Sequence, residues 1–101
     1  TIDGAFRDRE GNLLTDGRAR PILASAKGDR FTGPGHNGEV FSSADGRDWM
    51  FFHAHDQTLE NSDDRPMLLQ ELQWDADGWP CFKGGKPQLQ VERPRAPFSI
   101  L

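Results

Sequence analysis

Several common folds and functions are closed to this sequence by what it lacks. It has one cysteine, Cys81, in 101 residues, so no disulfide can form within it. No apolar run approaches the roughly 18 residues that a membrane-spanning helix needs. Basic side chains are outnumbered, 12 against 16 acidic ones for a formal net charge of -4, which removes the positive field that a nucleic-acid partner requires. No window of about 11 residues or more keeps a 3.6-residue apolar period, so little or no helix is expected. Leu, Ile, Val and Phe together number only 21, just above the roughly 20% level below which disorder becomes the default. From Thr1 onward there is no charged-then-apolar leader, so any export signal is expected to be already gone or never to have existed.

Turn chemistry, by contrast, is abundant. Asp-Gly pairs stand at Asp3-Gly4, Asp16-Gly17, Asp45-Gly46 and Asp77-Gly78, and Glu10-Gly11-Asn12 and Lys27-Gly28-Asp29 add two more turns. Glycine accepts the positive φ that tight hairpin turns require. Short aromatic and aliphatic segments lie between them: Ala5 to Arg7, Pro21 to Ala26, Glu39 to Ser43, Asp48 to His55, Pro66 to Trp74, Trp79 to Lys83 and Gln88 to Glu92. Strands at this spacing argue for an all-β, antiparallel fold in a single domain, residues 1–101. The segment from Asp48 to His55 is apolar on both faces, with Trp49, Phe51, His53 and His55 one way and Met50, Phe52 and Ala54 the other. Such a strand must be covered on both sides, which suits the stacked sheets of a β-propeller. Met67 to Trp74 is expected to pair with it across the polar loop 56–65, with Leu72 and Trp74 inward. Arg93-Pro94-Arg95-Ala96-Pro97 breaks regular structure and is expected to lie across the body or cap an edge.

Among chemically capable residues, Gly33-Pro34-Gly35-His36-Asn37-Gly38 reads as a rigid loop that delivers one histidine: the glycines permit a tight turn and Pro34 removes freedom. His53 and His55 share a strand face at a spacing that can chelate zinc, with His36 or Asp56 as a further ligand if folding brings one near; structural histidines at a strand end are the alternative. Trp49, Trp74 and Trp79 form either a sugar-stacking platform or aromatic filling between sheets. Asp45, Asp48, Asp63, Asp64, Asp75 and Asp77 lie in turns and loops, where backbone reasons account for them. An EF-type calcium loop starting at Asp75 is excluded, because its fifth position is Trp79. Cys81 sits in an apolar run and reads as a small buried hydrophobe.

Taken in order, Gly33-Pro34-Gly35-His36-Asn37, Asp45-Gly46-Arg47-Asp48-Trp49, His53-Ala54-His55-Asp56, Arg65-Pro66 and Trp74-Asp75-Ala76-Asp77-Gly78-Trp79-Pro80 resemble the final blade of glycoside hydrolase family 43. That family includes arabinanases, arabinofuranosidases and β-xylosidases. The resemblance implies a five-bladed β-propeller with its active site at one end of the axis. It also implies hydrolysis by a general base and a general acid, with a third carboxylate tuning the acid. In the family all three carboxylates lie in earlier blades, so no catalytic residue is expected in this chain. His36 matches the axial histidine that in many arabinanases helps hold a metal ion ligated mostly by water. His36 is therefore the candidate metal ligand, calcium the candidate cofactor, and other blades and water the expected remainder of the site. His55 stands where the family often has tyrosine.

A blade takes roughly 40 to 50 residues, so the chain amounts to about two blades of an incomplete propeller. The final blade is expected at about 30–83, with a C-terminal extension over 84–101. Completion is expected from self-association or from the missing blades. The resemblance thus implies the C-terminal portion of a hydrolase of arabinose- or xylose-containing plant polysaccharides, inactive by itself. The alternative is a non-catalytic carbohydrate-binding or oligomer-scaffolding module. A pentose-containing oligosaccharide is the expected ligand, with neither nucleic acid nor membrane as a partner, and the resemblance favours an extracellular or periplasmic location.

Overall fold

Short apolar runs punctuated by Asp and Gly fold here into a single sheet. The computed structural model describes residues 4–61, 63–90 and 92–100. It contains β1 (Phe31–Gly35), β2 (Val40–Ser42), β3 (Asp48–Asp56), β4 (Met67–Trp74), β5 (Pro80–Cys81) and β6 (Ser99–Ile100). The strand order is β5-β4-β3-β2-β6, β1 also pairs with β3, and all pairings are antiparallel. Among the described residues there is no α-helix, only a 3₁₀ turn at Lys83–Gly85, and no helix long and apolar enough to cross a membrane. The all-β antiparallel class and the pairing of β3 with β4 follow the apolar pattern of the sequence.

Register decides which side chains meet. β3 and β4 pair from Asp48↔Leu72 to His53↔Met67, and residues opposite each other share a face. Met50, Phe52 and Ala54 therefore join Leu68 and Leu72 on one side, where Phe31 and Phe82 close the core and Phe52 is left 1% exposed. The Phe52 and Phe82 rings meet edge-on at 6.3 Å. Gln70 lies buried in the same row, and a buried amide must find partners. It donates to the Lys86 carbonyl at 3.2 Å and accepts from the Gln88 N–H at 3.0 Å, fastening the following segment alongside β4.

The other face of β3 is covered by the end of the chain. Trp49 is fully buried; its indole N–H donates to Ser43 Oγ at 2.9 Å and the Arg47 guanidinium lies 4.8 Å from its ring centre. Arg47 in turn pairs with Glu71 of β4 and with Glu92. Phe41 stacks on Phe51 and meets Phe98 edge-on, each at 5.5 Å. The Ala44 N–H donates to the Arg95 carbonyl at 2.7 Å, and β6 pairs with β2 through Phe41↔Ile100 and Ser42↔Ser99. The segment after Arg93 thus both crosses the body and caps an edge.

One turn is built three times, at residues 8–12, 43–47 and 75–79. In each, the first N–H donates to the fifth carbonyl at 2.9 Å, and the glycine in fourth place donates back to the first carbonyl at 2.9 to 3.0 Å. The glycines, Gly11, Gly46 and Gly78, have φ of 87°, 80° and 84°, a conformation that other residues adopt only with strain. Asp8 Oδ1 accepts from the N–H groups of Glu10 and Asn12, and Asp75 Oδ1 does the same for Asp77 and Trp79.

Among the described residues, three expected strands are not formed. Ala5 to Arg7 contributes a single bridge, Arg7↔Leu13. Pro21 to Ala26 is held by isolated bonds, Ala24 N–H to the Gly85 carbonyl (2.9 Å) and Ala26 N–H to Asp29 Oδ2 (2.8 Å). Residues 88–90 run beside β4, but side-chain amides take the place of ladder bonds: Gln90 Oε1 accepts the Glu71 N–H at 3.2 Å. Asp3 of the first Asp-Gly pair and Val91 lie outside the described residues. Trp74, expected inward, is 49% exposed, because beyond Leu72 its row has no neighbour in the core; its indole N–H donates to Asp48 Oδ2 at 2.7 Å.

Asp8 also accepts from the Arg20 N–H (2.9 Å) and from the Asn12 amide (3.1 Å). These donors, the Arg20 N–H foremost, pull its carboxyl from an ordinary 3.8 to about 2. A folded-state value below the unfolded one stabilises the fold above the unfolded value, and the contribution disappears as pH falls through the folded one. Thermal unfolding followed by circular dichroism is therefore expected to show a steady midpoint above roughly pH 5 and a decline between roughly pH 4 and 2. Asp8→Asn should lower the midpoint at neutral pH and make the acid decline shallower; an unchanged profile would contradict this role.

Candidate functional site

The histidine motif is a strand interruption, not a free connecting loop. β1 pairs with the C-terminal half of β3 (Phe31↔Asp56, Thr32↔His55, Gly35↔His53) and β2 with its N-terminal half (Val40↔Met50, Phe41↔Trp49, Ser42↔Asp48). Residues 31–42 are thus one edge that leaves the ladder over 36–39. Two residues cause the break. Gly33 has φ 58° and Pro34 has no N–H to donate, and the register slips between Thr32 and Gly35. His36 itself takes φ 49°, a left-handed conformation uncommon for a side chain with a Cβ. The Gly38 N–H then donates to the Phe51 carbonyl at 2.8 Å and the edge resumes.

The break sets the His36 ring 5.6 Å from the His53 ring, tilted by 40°. His53 Nδ1 lies 3.0 Å from the Arg65 carbonyl oxygen. A carbonyl can only accept, so Nδ1 carries a proton. His36, Asn37, His53 and Met67 border an open hollow of about 230 Å³. His55 lies one pair further along β3, opposite Thr32.

Among the described residues, no three His, Cys, Asp or Glu side chains come together as a metal-holding group. The zinc arrangement weighed for His53 and His55 therefore has no third ligand there. Asp56 is committed elsewhere: Arg30 grips both its oxygens at 3.1 Å and Thr58 donates twice to Oδ1, with the guanidinium foremost in holding the carboxyl well below its ordinary range. His36 fits a metal only as one ligand of a set completed by water or by groups outside this chain.

Asp8, Asp45, Asp56 and Asp75 are all pushed down, Asp45 chiefly by the Ser43 hydroxyl and Asp75 chiefly by the Trp79 N–H. A general acid needs the opposite displacement. These four carboxylates serve turns and ion pairs. Of the tryptophans, Trp49 is filling, whereas Trp74 and Trp79 are substantially exposed. Cys81 is a half-buried free thiol. The sequence reading did not foresee the Trp79 surroundings, where Arg9 reaches Asp75 at 2.9 Å. The repeated Asp-x-acidic-Gly spacing at 8–11 and 75–78 was the available signal.

A methyl group on Gly33 would stand 3.4 Å from His55 Cδ2 and would keep a positive φ. Gly33→Ala is expected to destabilise the fold by roughly 1–2 kcal/mol and to displace the imidazole resonances of His53 and His55. Unaltered urea midpoints and imidazole shifts would show that the bulge does not depend on glycine.

Residues 2–80 match the family model described as Glycosyl hydrolases family 43. Among solved structures the chain is similar to an alpha-L-arabinanase of Cellvibrio cellulosa, with TM-score 0.59 and 24% identity over 89% of this chain and 28% of that one. No curated protein matches it significantly. The structural likeness establishes the fold as a propeller-like antiparallel fragment, spanning little more than a quarter of the arabinanase. Because the family model spans most of its length, this chain belongs to glycosyl hydrolase family 43.

Proposed function

We propose that the chain is the C-terminal portion of a family 43 hydrolase of arabinose- or xylose-containing plant polysaccharides, with the catalytic acid and base carried outside it. The observation behind this reading is His36, held out from the blade edge by its own strained backbone in a family 43 chain. The arabinanase likeness, which leaves most of that molecule outside the match, and the downward displacement of Asp8, Asp45, Asp56 and Asp75 support it further. In this reading the edge faces the propeller axis, His36 projects an imidazole towards the sugar site, and His53, oriented by the Arg65 carbonyl, stands behind it. Calcium, when bound, would be held by His36 and water and would supply fixed positive charge there. The protein acts in the extracellular space or periplasm, where such polymers are met.

Incubated with arabinan, xylan or aryl pentosides, the purified chain is expected to release no sugar. Turnover that disappears when one of its own Asp or Glu residues is replaced would overturn the assignment.

A second reading, an oligomer-forming scaffold, is favoured by one feature. β6 lies at the end of the sheet, Phe98 before it and Ile100 within it are 56% and 69% exposed, and apolar edge strands associate. Native mass measurement is expected to give a dimer or larger assembly that Ile100→Lys returns to a monomer; a monomeric parent chain would rule this reading out.

A further inference from the structure

The sheet edge opposite His36 carries a second hollow. β5 ends the sheet on that side, and the turn before it, 75–79, faces its twin at 8–12, joined by Arg9 to Asp75 at 2.9 Å. Between these turns and residues 20–22 lies a cavity of about 490 Å³. Leu14, Ile22 and Trp79 supply apolar wall that is partly open to solvent, and Arg7, Arg9 and Arg20 line it together with Asp8 and Glu10.

The backbone around the hollow is already held. The Trp79 backbone N–H is bound by Asp75 Oδ1 at 3.0 Å and the Arg20 backbone N–H by Asp8 Oδ2 at 2.9 Å, while Arg7 Nη1 donates to the Gly11 carbonyl at 2.8 Å. Little backbone ordering is left for a ligand to impose. Charge is unevenly spent across the arginines. Arg9 is paired with Asp75, and Arg20 lies 3.4 Å from Glu10, whereas Arg7 forms no ion pair with a carboxylate among the described residues. An exposed indole and a guanidinium without a carboxylate partner among the described residues line one hollow, which suits a ligand with one apolar ring face and one anionic group. A sugar acid has both: C–H bonds on the face of the ring for the indole, and a carboxylate for the guanidinium fork.

We infer that this hollow binds a uronic-acid unit of an acidic plant polysaccharide, with the sugar ring against Trp79 and its carboxylate on Arg7. The polymer class rests on the function proposed above; the site does not include His36 and anchors polymer without reacting with it.

The test titrates the chain, following tryptophan fluorescence, with three probes: a xylo-oligosaccharide bearing one glucuronic acid, the same oligomer without it, and an oligogalacturonide. At least one acidic probe should bind about tenfold more tightly than the neutral oligomer, and the advantage should shrink in roughly 0.5 M NaCl. Arg7→Gln should remove the advantage while circular dichroism shows the fold retained. Trp79→Ala should weaken binding of every probe, and should that variant not fold, Trp79→Phe should bind more weakly than the parent. Equal affinity for acidic and neutral sugars, an Arg7→Gln variant that still prefers the acid, or no response at about 10 mM sugar would overturn the inference. Because the readout is binding by this chain, it can fail while the hydrolase assignment stands, and the reverse.

Discussion

The structure depends on one constraint: β3 is apolar on both faces, and neither face can be left to water. Met50, Phe52 and Ala54 on one side demand a core, and they gather Phe31, Leu68, Leu72 and Phe82 into it. Trp49 and Phe51 on the other demand a second layer, which a short chain has few ways to supply. Here the residues from Glu92 onward supply it, by an ion pair and ring contacts. A single sheet becomes a sandwiched one because its own C-terminal segment returns over it.

The two ends of that sheet differ in chemistry. At the β1 and β2 edge, imidazoles gather where glycine and proline break a strand. At the β5 edge, paired turns joined by Arg9 and Asp75 bring arginines and a tryptophan to one hollow. In both places backbone geometry, more than side-chain packing, determines where the polar groups stand. Positive φ at Gly33 and His36 does so on one edge, and carboxylates bound to backbone N–H groups do so on the other.

What could be read from the sequence follows from how local the controlling interaction is. β2, β3 and β4 are long or regular enough in apolar pattern to be legible, and the Asp-Gly turns announce themselves through glycine's freedom. β1 was hidden because Gly33 and Pro34 look like a loop, although they form a bulge within a paired edge. β6 was hidden because its two residues follow prolines and gain a partner only through the fold. Residues 21–26 and 88–90 have strand-like composition, yet their hydrogen bonds go to side chains and isolated carbonyls. His36 stood out as the lone histidine of a constrained motif; its approach to His53 depends on a register slip that no local pattern reveals.

The clasp at Arg47 carries one more consequence. Its guanidinium serves β4 through Glu71, the returning segment through Glu92 and the Trp49 ring beneath it, while among the described residues the segment itself adds only the two residue pairs of β6 to the ladder. Attached in this way, that segment is expected to open at lower free energy than the β3–β4 pair, leaving the strands intact. The apolar face it vacates is already shaped, so a neighbouring blade could take over that covering role without any strand being remade.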